Sequence, residues 1–171
     1  MSILPSIIQR QFPSVRQLVF VVALCFMLPA VSGEPLSDER FAVVDGEHAR
    51  LSDFHGQVVV LNLWAVWCSP CIIEIPHLVQ LQPELEQVGA TVIGLAVDSG
   101  SARAIRRFWT HRLEIEPVYP LWKTTVAEAG ELFDARTYPT TLIIDRDGRI
   151  REHLLGLQTR EDLRAAVQPY L

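Results

Sequence analysis

The run Val58-Val59-Val60-Leu61-Asn62-Leu63-Trp64-Ala65 constrains this chain more than any other stretch. It is apolar at nearly every position, rich in Val and Leu, and shows no polar alternation. A strand of that kind is covered on both faces, which places it at the centre of a sheet with helices packed on each side. Trp67-Cys68-Ser69-Pro70-Cys71 follows at once, then a helical stretch from about Ser69 to Val88. The sequence thus delivers two cysteines, two residues apart, to the junction of a buried strand and a helix.

That layout suits thiol–disulfide exchange. One thiol must be ionised and accessible enough to attack a disulfide, and a second must lie close enough to break the resulting mixed disulfide. The free N–H groups and positive dipole end of a helix stabilise a thiolate. Such sites lower a cysteine pKa from about 8.5 into roughly the 3.5–7.5 range. A structural zinc site would need two more soft ligands at suitable spacing, and the chain has only three cysteines. No metal and no organic cofactor are expected. A pair so close in sequence also cannot staple distant parts of a fold.

The third cysteine, Cys25, lies in an N-terminal apolar run from Leu18 to Val31. Arg10 and Arg16 precede the run, and the small residues Ala30, Ser32 and Gly33 close it. Charged, then apolar, then small is the order of an export signal. The run is shorter than the ~20 residues that span a bilayer, and Pro29 interrupts its end. Residues 1–32 therefore read as a signal peptide, cut after Ser32, or as an anchor tethering the rest through residues 18–31. Leu24 is too bulky beside Cys25 for a good lipoprotein signal. Residues 33–171 form one domain. The chain carries 15 basic and 20 acidic residues, a net charge of −5, and two of the basic residues fall in the N-terminal segment. With no basic patch interleaved with aromatics, nucleic acid is not expected as a partner.

Along the domain, Phe41 to Val44 and His48 to Leu51 read as a small hairpin about Asp45-Gly46-Glu47, and Ser52 to Gln57 as loop. Pro76 and Pro83 fall inside the long helix, which Gly89 stops. Thr91 to Val97 is a second buried strand. Ser101 to Arg112 reads as an amphipathic helix with Ala104, Ile105, Phe108 and Trp109 on its apolar face. Tyr119 to Trp122 is extended and Val126 to Phe133 helical. Thr140 to Ile144 and Ile150 to Leu155 flank the hairpin signal Asp145-Arg146-Asp147-Gly148. A last helix, Arg160 to Tyr170, has Thr159 as its cap and Leu163, Val167 and Leu171 to dock it. The order β-β-β-α-β-α-β-α-β-β-α gives an α/β sandwich with a mixed central sheet.

Four segments together resemble the thioredoxin fold, and within it the TlpA/ResA-type extracytoplasmic thioredoxins that include cytochrome c maturation reductants. They are Asn62 to Cys71, Glu74-Ile75-Pro76, Tyr138-Pro139-Thr140-Thr141 and Ile144 to Gly148. The resemblance covers roughly residues 38–171 and implies a three-layer sandwich with an N-terminal β-hairpin. It implies Cys68 as nucleophile and Cys71, one turn into the helix, as the more buried resolving thiol. Glu74 is placed near the cysteines, where a partly apolar pocket would raise its pKa and let it shuttle a proton. Ordinary cytoplasmic thioredoxins carry a buried aspartate where Asn62 stands. An amide cannot take that acid–base role, which leaves Glu74 as the relay candidate. Pro139 is implied to be cis against the cysteine pair, exposing backbone of Tyr138 to an extended client segment. Trp67 packs by the cysteines and offers a recognition surface.

The activity implied is that of a periplasmic protein disulfide reductase. It would be fed by a membrane thiol donor and act on disulfide-bearing client proteins, with apocytochrome c one candidate. A disulfide oxidant or isomerase of the same fold remains open, since Ser69-Pro70 tunes potential without settling direction. A copper chaperone would need wider cysteine spacing and a dedicated histidine. A thiol peroxidase normally has a threonine three residues before its cysteine, where Ala65 stands. The five histidines are scattered and none is assigned as a ligand.

Overall fold

A computed structural model describes residues 38–171. The apolar segment 18–31, Cys25 and the cut after Ser32 lie outside the described residues. The first two strands, β1 (Arg40–Val43) and β2 (His48–Arg50), form the expected hairpin. A 3-10 turn at Leu51–Phe54 occupies part of the expected loop. The apolar run becomes β3 (Val58–Trp64), with all seven residues buried. It leads into α1 (Ser69–Glu86), which contains both Pro76 and Pro83 without ending at either. Gly89 then adopts a φ of 74° that favours glycine, and β4 (Ala90–Val97) begins, buried throughout.

The rest follows as α2 (Ala102–Arg107), β5 (Leu121–Thr124), α3 (Val126–Phe133), β6 (Thr140–Ile144), β7 (Ile150–Leu155) and α4 (Arg160–Val167). The strands form one sheet in the order β2-β1-β5-β4-β3-β6-β7. Strands β3, β4 and β5 run parallel, while β6 and β1 join them antiparallel. Successive side chains of a strand point to opposite faces. Val58, Val60 and Trp64 accordingly pack with Ile75 and Leu78 of α1, Ile105 of α2 and Leu163 of α4. Val59, Leu61 and Leu63 pack on the other face with Phe41, Trp122 and Ala129 and Phe133 of α3. Three layers result, with β3 in the middle.

Three expectations need correction. The helix from Ala102 does not stay α-helical: Phe108–Leu113 is a π-helical turn that ends at Glu114 in the left-handed region. Its cause is the docking of Trp109, whose ring meets Trp64 and Tyr119 edge-on at 6.1 and 5.6 Å. Ala104 is exposed rather than part of the apolar face, which Ile105 and Trp109 supply. Leu171 is 40% exposed and does not dock the last helix. That helix tightens into a 3-10 turn at Gln168–Tyr170, and three residues per turn rotate Leu171 off the stripe held by Leu163 and Val167.

Candidate active site

Beyond β3 the chain turns sharply, with Cys68 N–H donating to Ala65 carbonyl oxygen at 3.1 Å. Val66 N–H donates to Ser99 Oγ at 3.1 Å, and that hydroxyl donates to Val97 carbonyl oxygen at 3.0 Å. The cysteine loop is thereby pinned to the end of β4. Cys68 is the N-cap of α1, and its Sγ accepts from Cys71 N–H at 3.3 Å. Pro70 occupies the first turn, where its missing N–H leaves no bond unmade. The two sulfurs are joined in a disulfide of 2.04 Å, with Cα atoms 5.3 Å apart. Cys71 is fully buried, while Cys68 keeps 5% of its surface open. A backbone donor and a helix dipole aimed at Sγ favour its ionised form.

One turn after Cys71, Glu74 is completely buried. Its carboxylate accepts from Asn62 Nδ2 at 2.6 Å through Oε2 and from Gln158 backbone N–H at 2.9 Å through Oε1. Burial pushes its pKa up to about 7, against the two hydrogen bonds that favour the charged form. Asn62 reaches it because alternation along β3 turns residue 62 to the same face as Val60 and Trp64. The same Nδ2 donates to Thr141 Oγ1 at 2.8 Å, its register partner on β6. Asn62 Oδ1 is buried and has no partner among the described residues. Burial drives the Tyr119 phenol pKa upward, and the nearby Glu74 carboxylate adds to the shift.

On the β6 side, the Tyr138–Pro139 peptide bond is cis. Tyr138 meets the exposed ring of Trp67 edge-on at 5.7 Å, so the two flanks of the site touch. Burial raises the Tyr138 phenol pKa, and Asp98 raises it further. Pro139 carbonyl oxygen accepts from Gly156 N–H at 2.9 Å. The loop after β7 therefore contacts both Pro139 and, through Gln158, Glu74.

The geometry brings the predicted residues onto one end of the sheet: Trp67, Cys68, Cys71 and Glu74 from the β3–α1 junction, and Tyr138 and Pro139 from the entry to β6. Sequence reasoning missed Ser99, Tyr119 and the backbone of Gln158. Ser99 and Tyr119 carry no motif. A backbone N–H leaves no signature in sequence. Among the described residues no group of three or more His, Cys, Asp or Glu could hold a metal.

Residues 32–153 match the AhpC/TSA family. The chain belongs to that family. This AhpC/TSA member is 32% identical over 131 residues to thiol-disulfide oxidoreductase ResA of Bacillus thuringiensis subsp. konkukian (strain 97-27), across 72% of this chain and 70% of the relative. Two solved structures share its fold. One is a thiol:disulfide interchange protein of the thioredoxin family from Chlorobium tepidum TLS, with a TM-score of 0.70 and 24% identity over 84% of this chain and 99% of that one. The other is a DsbF homologue from Corynebacterium diphtheriae, with a TM-score of 0.68 and 25% identity over 84% and 97%. The fold is thioredoxin-like, and the protein is a thiol–disulfide oxidoreductase of the ResA type. Its partners accordingly include client proteins that bear disulfides.

Proposed function

We propose that this oxidoreductase works outside the cytoplasm as a reductase of client disulfides, with apocytochrome c among the candidate clients. Cys68 thiolate attacks one sulfur of a client disulfide, forming a mixed disulfide and releasing the first client thiolate. Cys71, deprotonated, then attacks Cys68 Sγ and releases the second. The client gains two electrons and the protein is left with its Cys68–Cys71 disulfide. A membrane thiol donor restores the dithiol. Glu74 takes the proton from Cys71 and passes it to the departing client sulfur. Trp67, Tyr138 and Pro139 hold the client segment.

The observation that carries this reading is the Glu74 carboxyl, buried one turn from Cys71 with a pKa near 7. A group half-protonated at neutral pH can both accept and return a proton in one cycle. Export is supported by the charged, apolar and small order of residues 1–32. Residues 33–171 are the working domain, and residues 18–31 either leave with the signal or tether it.

Two measurements test this. Cys68→Ser should abolish insulin-disulfide reduction, and retained activity would remove Cys68 as nucleophile. The midpoint potential at pH 7 should fall close to that of thioredoxin, about −270 mV, whereas a value near −120 mV would make the protein a donor of disulfides.

A further inference from the structure

Beside the cysteine loop lies a groove of about 520 Å³. Val66, Ala104 and Phe108 contribute apolar surface to it, and Arg107, His111 and Arg112 line it too. Phe108 is held by its ring contact with Trp64 at 5.5 Å. Ala104, which helical periodicity assigned to the core, is exposed because it opens on this groove.

The charges here run against the rest of the molecule. The chain has a net charge of −5, yet Arg107 and Arg112 are exposed and their side chains make no ion pair or hydrogen bond among the described residues. Arg106, the residue before Arg107, is instead engaged with Asp45 and the Val44 carbonyl. The π turn explains how two free arginines come to share one groove. At 3.6 residues per turn, positions five apart stand about 140° from each other around a helix. An i→i+5 turn brings them back toward one side, and such turns recur at functional sites. Guanidinium groups offer planar forks that match carboxylates.

Position gives the groove its use. Val66 is two residues before Cys68 and hangs from Ser99 Oγ. A client whose sulfur reaches Cys68, held by Trp67, Tyr138 and Pro139, can lay the residues flanking its disulfide along this wall. We infer that the groove docks an acidic, partly apolar segment flanking the client's disulfide, with carboxylates on Arg107 and Arg112 and an apolar side chain against Phe108. This inference rests on exchange at Cys68 and adds the chemistry of the preferred client.

Three synthetic peptides test it, each with one internal disulfide and differing only in whether the flanking residues are Glu, Gln or Lys. The full reduced chain is mixed with each, and the rate of protein oxidation is followed. At low salt the Glu peptide should react about tenfold faster than the Lys peptide, through steering and tighter binding. In about 0.5 M NaCl the gap should shrink, because exposed charges are then screened within a few ångströms. Arg107→Glu with Arg112→Glu should reverse the preference. Arg103→Glu, an exposed reversal on the same helix outside the groove, should keep it. Equal rates for the Glu and Lys peptides would overturn the inference, as would an equal response to the Arg103 and the paired substitutions. Self-association abolished by the paired substitution would also overturn it, by making a second copy the occupant. Failure to exchange with the Gln peptide would remove the exchange reading itself, and this one with it.

Discussion

The backbone N–H of Gln158 donates to Oε1 of Glu74 at 2.9 Å, joining positions 84 apart in sequence. The contact ties the loop after β7 to the helix that carries Cys71. Asn62 holds the other oxygen, so the carboxyl is fixed in place from two directions while burial keeps it near half-protonation at neutral pH.

Stability should fall as pH rises toward and past neutrality. Glu74 has an ordinary pKa of 4.5 that folding raises to about 7. The folded state therefore binds the proton more tightly. Its contribution is full below pH 4.5 and is lost as pH climbs through 7. At 1.36 kcal/mol per pKa unit the effect is on the order of 3 kcal/mol. Urea denaturation of the oxidised protein at pH 5 and pH 8 should show this loss, and Glu74→Gln should largely flatten it.

Exchange should lose its neutral-pH dependence with the same substitution. If Glu74 carries the proton between Cys71 and the client, Glu74→Gln should slow insulin reduction about a hundredfold, within the range of general acid–base catalysis. The pH–rate profile should also lose the inflection near 7. A variant with the wild-type profile and rate would leave Glu74 with a structural role only.

Asn62→Ala should raise the Glu74 pKa above 7, because it removes the side-chain hydrogen bond that favours the charged form. It also strips Thr141 Oγ1 of its donor. Loss of these buried bonds should cost about 1–3 kcal/mol. Carboxyl NMR titration of wild type and variant reads the first effect, and denaturation the second. An unchanged Glu74 titration would show that burial alone sets its pKa.

Gly94→Ala should destabilise the domain without touching the cysteines. A Cβ there would stand 2.9 Å from Leu121 Cδ2, 3.1 Å from Tyr119 Cε2 and 3.2 Å from Trp64 Nε1. Trp64 and Leu121 are buried, so relief requires core movement, at about 1–3 kcal/mol. A denaturation midpoint equal to wild type would mean the three side chains can shift freely.

Much of the fold was legible because its signals are local. The unbroken apolar run of β3, the Asp145 to Gly148 turn and the Thr159 cap each act within a few residues. The cap is a reciprocal box in which Thr159 Oγ1 accepts from Asp162 N–H and Asp162 accepts in return from Thr159 N–H. The π turn at Phe108 was not legible. The local pattern of residues 101–112 reads as an ordinary amphipathic helix, and the demand that alters it comes from outside that window, from Trp64 far back in the chain and Tyr119 beyond the helix end. In the site, the side chains that belong to motifs were visible, whereas Ser99, Tyr119 and the Gln158 backbone are recruited only by folding.

Cys68 is at once the end-piece of α1 and the nucleophile proposed for the reaction. In the proposed cycle the sulfur that accepts Cys71 N–H would pass between disulfide and thiolate, so the helix start would be remade at every turnover. Hardening that end of α1 against heat would shift how readily the sulfur attacks and departs. Thermal robustness is better sought at α3, where Thr125 caps a helix start that carries none of the site residues. On the proposed mechanism, a change that toughens this helix end would also move the redox set-point.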